Sequence, residues 1–297
     1  LPLPSSPRGR GAGAVTARRP GPLLALLCAV LHASASRGIA VQHKSLGRPR
    51  CMSAVEPREG AMVQWISRVL PPSGRSALIL LNTPQPVAVV AALWDRFDLR
   101  ICADGAANRL QEALPALAPE LIVGDLDSAS PGALEHFQER GSAVLDLSHS
   151  QDSTDLDKAF IAAAERGFHD AVVIGDFAGG AGRVDHMFGI IQSLFLAQQG
   201  PTAFSEVTCL SQSSMMKLLL PGSHVLPGLR GAKCGLVPIS GPCEQITTRG
   251  LQWNLKGDAV AFGGLVSTSN LCVEDKVTVE NSAPVLWTMK LGSEDEE

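Results

Sequence analysis

The chain has 297 residues, 45% of them hydrophobic and 18% charged, with a formal net charge of −4. That length supports two ordinary domains, each with its own core, and the charge balance excludes an electrostatic footprint for nucleic acid. Seven scattered cysteines (Cys28, Cys51, Cys102, Cys209, Cys234, Cys243, Cys272) include no C-x-x-C pair, so reduced thiols in a cytoplasmic protein fit better than a zinc site or disulfide framework.

Residues 1–75 are rich in Arg, Pro, Gly and Ser, and their one strongly apolar run is PLLALLCAVL, Pro22–Leu31. Preceded by Arg18–Arg19 and followed by HASAS, the run resembles a signal or transit peptide. It is too short to cross a membrane as a helix, so no membrane partner is expected. The chain does not begin with Met, and Met52 and Met62 lie near the start of globular sequence. A targeting segment and a non-native extension both remain open, and in either case residues 1–75 are expected to be disordered.

From Ser76 the pattern becomes regular. Ser76–Thr83, Leu99–Gly105, Leu121–Asp125, Ser142–Leu147 and Asp170–Asp176 read as short buried strands. Val87–Phe97, Ala106–Leu114, Pro131–Gly141, Leu156–Gly167 and Val184–Gly200 read as amphipathic helices between and after them. Apolar runs alternating with helices predict an α/β domain over 76–204, a mostly parallel sheet with helices on both faces. After about Val207, Gly and Pro punctuate short alternating runs such as SHVLPG, CEQITTRG and DKVTVEN. That grammar predicts an all-β, sandwich-like domain over 205–297.

In parallel sheets ligands sit beyond the carboxyl ends of the strands, and three predicted strands end in aspartate: Asp104, Asp125 and Asp176. Four segments carry polar residues at that rim. In CADGAANR, Asp104 ends a strand and Gly105 permits a tight turn before a helix with free N–H groups; a plain capped turn is the alternative. In GDLDS, Asp125 and Asp127 share one side if the segment is extended, so both could grip one hard cation; a solvated turn would read the same way. In SQDSTDLDK, Asp155 lies in the first helical turn, where the dipole favours carboxylates without any function. In GDFAGGAGRVDH, glycines allow close approach and Arg183 offers a fork of donors to phosphate. His186 lacks a partner nucleophile or ligand set and reads as a structural hydrogen-bonder. This inventory of aspartates, a glycine turn, one Arg and one Lys suits metal-assisted transfer of a phosphoryl-type group.

In this order the four segments resemble the thiamin pyrophosphokinase family, vertebrate type. The residues that carry the likeness are Ala103–Asn108, Gly124–Ser128, Gln151–Lys158 and Gly182–His186, with Gly235–Leu255 and Ala261–Asn270 in the β half. The resemblance implies a homodimer that transfers a pyrophosphoryl group from ATP to the hydroxyl of thiamin, giving thiamin diphosphate and AMP. It implies Mg²⁺ on Asp125, Asp127 and Asp155 with Asp104 nearby, and Asp185 beside the transferred group. Asn108, Gln151, Thr154, Lys158 and Arg183 would contact ATP. Trp253, Ser267 and Asn270 are the thiamin candidates, because a flat cationic heterocycle stacks on an indole and hydroxyl and amide groups match its polar edge; a core role for Trp253 is the alternative. Two departures stand out: Ala106 replaces the second glycine of the family's A-D-G-G-A-N, and NLCVEDKVTVE lacks the glycine-bearing turn after S-T-S-N. Another alcohol phosphotransferase of the same fold, or a catalytically silent binding protein, remains open from sequence.

Overall fold

The structure is a computed structural model and describes residues 63–64, 66–68, 70, 75–150, 152–177, 183–200 and 203–291. All of them belong to one unit of the chain, Ser45–Glu297. The apolar run Pro22–Leu31, Gln151 and Gly182 lie outside the described residues. Among the described residues no helix is long and apolar enough to cross a membrane.

Strands β1 (Ala77–Leu80), β2 (Leu99–Ala103), β3 (Leu121–Gly124), β4 (Ala143–Asp146) and β5 (Asp170–Ile174) alternate with helices α1 (Val87–Leu93), α2 (Ala106–Ala113), α3 (Pro131–Gln138) and α4 (Asp155–Ala164). A 3-10 turn, Trp94–Arg96, extends α1, and α5 (Val184–Ala197) follows β5. The strands pair in parallel in the order β5-β1-β2-β3-β4. The first three crossovers step one way across the sheet, and the β4–α4–β5 crossover steps back. Right-handed connections therefore put α1–α3 on one face and α4 on the other, where α4 packs against α5. The side chains alternate accordingly. Leu78, Leu80, Cys102 and Ile122 join Val89, Leu110 and Phe137 in the core beneath α1–α3, whereas Ala77, Ile79 and Ile101, equally buried, face the opposite side.

Next come β6 (Glu206–Leu210), β7 (Ser214–Leu219), β8 (Gly222–Pro227), β9 (Lys233–Val237), β10 (Cys243–Arg249), β11 (Lys256–Val260), β12 (Ser267–Leu271), β13 (Lys276–Asn281) and β14 (Val285–Lys290). Strand β6 lies parallel beside β5, and β7, β14, β9 and β12 then extend the same sheet antiparallel to ten strands. A second sheet, β11-β10-β13-β8, supplies the other layer of the β half. Val285, Trp287, Met289 and Leu236 of the first sheet share one core with Ile246, Val277, Val279 and Leu226 of the second. The expected α/β sheet and sandwich-like β half are thus both present, and one continuous sheet runs through them.

One detail differs from the sequence reading. Ile66 is fully buried and Leu70 nearly so within the core, so packed chain includes described residues inside the stretch 1–75 expected to be disordered. Val63, Ile66 and Leu70 in AMVQWISRVL, Ala61–Leu70, stand at helical spacing, a signal that is hidden when this short run is grouped with the Arg-, Pro- and Gly-rich stretch before it. Between β11 and β12 the chain reverses at a turn closed by the Gly264 N–H on the Ala261 carbonyl at 3.0 Å.

Candidate active site

At the carboxyl rim, Asp104 follows β2, Asp125 follows β3 and Asp155 opens α4; each offers one carboxylate oxygen, and the three lie within 4.8 Å of one another. Asp104 is 3% exposed. Its N–H donates to the Val123 carbonyl at 2.9 Å, and its Oδ1 accepts the Ala129 N–H at 3.1 Å. Its φ of 45° is a strained value for a residue with a side chain, of the kind that accumulates at functional sites. Gly124 makes the approach possible. A Cβ there would sit 2.8 Å from the Asp104 Cβ and 3.1 Å from Asp155 Oδ1, so any side chain would wedge the two carboxylate-bearing segments apart.

Lys158, one turn into α4, is only 1% exposed. Its Nζ donates to Asp155 Oδ1 at 3.1 Å and lies 3.9 Å from Asp125 Oδ2. One ammonium against three carboxylates leaves a local charge of about −2, a cation-seeking site. Burial pushes the Asp155 carboxyl above its ordinary value, Lys158 opposes that shift, and Asp125 and Asp104 add to it. Carboxylates are the hard oxygen donors that Mg²⁺ takes, one or two at a time with water and phosphate oxygens filling the rest. Asp104, Asp125 and Asp155 therefore fit such an ion.

Asp127 stands outside that trio. Leu126 adopts φ 62°, so the segment is not extended and the two aspartates do not share a side. Asp127 is exposed and accepts the Ser128 hydroxyl at 2.9 Å, while its own N–H reaches Asp125 Oδ1 at 3.4 Å. Asn108 uses both ends of its amide on the neighbouring loop: Nδ2 donates to the Ser128 carbonyl at 2.7 Å, and Oδ1 accepts the Ser130 N–H at 2.8 Å. Thr154 is the N-cap of α4 in a reciprocal capping box with Asp157, worth about 1 kcal/mol to the helix. Asp176 donates its N–H to the Thr83 hydroxyl at 2.7 Å and is not in the cluster. Arg183 and Asp185 pair with each other at the exposed start of α5, which holds Asp185 below the usual carboxylate range. The methyl of Ala106 points into the core under α1–α3, so the departure at that position does not crowd the rim.

In the β half, Trp253 lies in the turn between β10 and β11 with 59% of its surface exposed, so it is not a core aromatic. Asn270 holds it: Oδ1 accepts the Trp253 N–H at 3.1 Å and Nδ2 donates to the Trp253 carbonyl at 2.8 Å. Ser267 accepts from the same amide at 3.4 Å. Asn270 is thus buried support, and Trp253 is the surface it presents. Sequence reasoning placed Asp104 beside the metal group; its membership of the trio in place of Asp127 depends on the left-handed turn at Leu126, which a leucine does not announce.

Residues 90–204 match the family described as thiamin pyrophosphokinase, catalytic domain, and residues 223–286 match thiamin pyrophosphokinase, vitamin B1 binding domain. Thiamine pyrophosphokinase 1 of Arabidopsis thaliana is 37% identical over 238 residues, 73% of this chain and 86% of the relative. Thiamine pyrophosphokinase 1 of Oryza sativa is 34% identical over 244 residues, 74% of this chain and 88% of the relative. Among solved structures, yeast thiamin pyrophosphokinase superposes with a TM-score of 0.62 at 21% identity, covering 73% of this chain and 86% of that one. The Candida albicans enzyme gives 0.61 at 20% identity, covering 75% and 95%. At those identities the superpositions show the fold.

Proposed function

The chain belongs to the thiamin pyrophosphokinase family and carries that family's activity, and we propose that it transfers the pyrophosphoryl group of ATP to the thiamin hydroxyl at the rim cluster around Lys158. The observation that carries this reading is the convergence of Asp104, Asp125 and Asp155 within 4.8 Å at the edge of the sheet where parallel folds bind ligands. Those three residues would hold Mg²⁺, which supplies charge neutralisation to the phosphate chain. Lys158 fixes the orientation of Asp155 and Asp125 and limits their mutual repulsion. Arg183, exposed at the start of α5, turns from Asp185 to the phosphates and offsets charge on departing AMP. Released from that pair, Asp185 recovers an ordinary carboxylate value and accepts the thiamin hydroxyl proton late in the transfer.

Trp253 offers its indole face to the cationic thiazolium or the aminopyrimidine, with Asn270 and Ser267 fixing the loop beneath it. A homodimer is part of the same reading, supported by exposed Val184 and Phe188 one turn apart on α5 and by exposed Phe262 and Leu265 between β11 and β12. Cytoplasmic residence is supported by the free state of all five described cysteines. The test is an assay for AMP with thiamin and Mg–ATP. Wild type releases AMP and thiamin diphosphate in equal amounts, and Asp125→Asn loses about 100-fold or more in turnover at an unchanged unfolding midpoint. Release of ADP instead, or full activity of Asp125→Asn, refutes the site as drawn.

A further inference from the structure

Two thiols that the transfer reaction does not use meet at the outer edge of the ten-stranded sheet. Strand β12 is the edge strand, and β9 is its partner in the sheet. The antiparallel register sets Asn270 opposite Cys234 and Leu271 opposite Lys233, and the Cys272 N–H donates to the Ala232 carbonyl at 3.0 Å. Cys272 is therefore the diagonal neighbour of Cys234 on the same face of the sheet. Cys272 Sγ donates to Met289 Sδ at 4.0 Å, which draws its side chain from β12 across β9, the strand that carries Cys234. Met289 itself stands opposite Cys234 on β14. Both cysteines are free thiols, 5% and 0% exposed.

The same few residues hold the Trp253 loop. The Gln252 N–H donates to the Leu271 carbonyl and the Val273 N–H to the Gly250 carbonyl, each at 2.9 Å, and Asn270 grips both backbone groups of Trp253. The end of β12 is thus a hinge plate between β9 and the loop. It is also a weak place: the ladder shifts register between Ser267 and Asn270, and Ser269 is held at φ 56°. An irregular edge strand opens locally at low free energy, which gives a buried thiol its access to solvent.

We propose that Cys234 and Cys272 are a disulfide-forming pair whose oxidation staples β12 to β9 and thereby rigidifies the Trp253 loop. The co-reactant is a small-molecule disulfide. Cys272, on the edge strand, attacks one sulfur of that disulfide and releases one thiol. Cys234 then attacks the mixed disulfide at the Cys272 sulfur and releases the second thiol. The two cysteine protons pass to the two departing thiolates, so one disulfide is reduced and one is made.

The staple is tested on the full, reduced chain, incubated under native conditions with oxidised glutathione, then alkylated, digested and weighed. The expected product is one linked peptide joining Cys234 to Cys272, reversed by dithiothreitol. With it, amide exchange at Gln252, Trp253 and Val273 slows about tenfold and the thermal midpoint rises by roughly 5–10 °C. Cys272→Ala, or Cys234→Ala where the first does not fold, abolishes the linkage and the protection and leaves basal activity unchanged. Recovery of both residues as alkylated thiols or as separate glutathione adducts overturns the proposal, as does a linked product with unchanged exchange over 250–254. Thiamin affinity measured on the same samples separates the staple from the role proposed for Trp253: slowed exchange with unaltered affinity leaves the staple standing and removes Trp253 from the thiamin pocket.

Discussion

Replacing Lys158 by methionine keeps the length of the buried stem and deletes its charge. The Nζ lies 3.1 Å from Asp155 Oδ1 and 3.9 Å from Asp125 Oδ2; at an effective dielectric of about 20 these separations correspond to attractions of about 5 and 4 kcal/mol. Desolvation of the ammonium offsets much of that gain, and partial solvent access at both carboxylates discounts it further. The net expectation is a loss of about 2–4 kcal/mol for Lys158→Met at pH 8 without divalent cation. The loss should depend on pH. Asp155 already stands above its ordinary value through burial, and Lys158 restrains it, so the variant raises it further. A carboxylate raised in the folded state binds extra protons there, and its contribution to stability falls as pH climbs from about 3.9 through the raised value. The penalty is therefore small near pH 4 and largest above the raised value. Millimolar Mg²⁺ should return part of it by supplying positive charge at the same carboxylates. Urea unfolding at pH 5 and pH 8, with EDTA or with Mg²⁺, reads all of this. An equal penalty at both pH values, insensitive to Mg²⁺, would mean that the lysine stem matters and its charge does not.

Gly124→Ala forces a Cβ to within 2.8 Å of the Asp104 Cβ; it should cost about 1–3 kcal/mol and raise the Mg²⁺ concentration for half-maximal activity, and a normal Mg²⁺ requirement would count against the cluster as the metal site. Trp253→Ala removes an exposed ring, so the unfolding midpoint should hold while the KM for thiamin rises roughly tenfold; a lost midpoint with an unaltered KM would show the indole to be structural. Because Asp155 is raised and a cation must displace its proton, Mg²⁺ affinity should fall as pH drops through the mildly acidic range, measured by Mg²⁺ titration of activity at fixed pH. Asp155→Asn should flatten that dependence.

The alternation of apolar runs with amphipathic segments was legible because burial on both faces of a parallel strand leaves an unmistakable composition, and β1–β5 lie where that signal predicts them. Strand β6 was not legible as part of the same sheet. Its sequence, EVTCL, reads like any short strand, and only pairing with β5 decides that the helix-covered and β-rich halves share one ladder. The segments bearing Asp104 and Asp125 were equally plain, since polar residues ending apolar runs lie at a strand's end, and Asp155 was plain as an acidic residue in the first turn of an amphipathic helix.

Residue order and composition by themselves determined the layers, the rim and the family, because local periodicity and ordered motifs are properties of the chain alone. Tertiary structure decided which carboxylates converge, that Asn108 and Thr154 hold local backbone, and that Cys234 meets Cys272 across β9 and β12. Each of those outcomes depends on a backbone dihedral, a strand register or a missing Cβ, and such quantities take their values only when distant segments pack together.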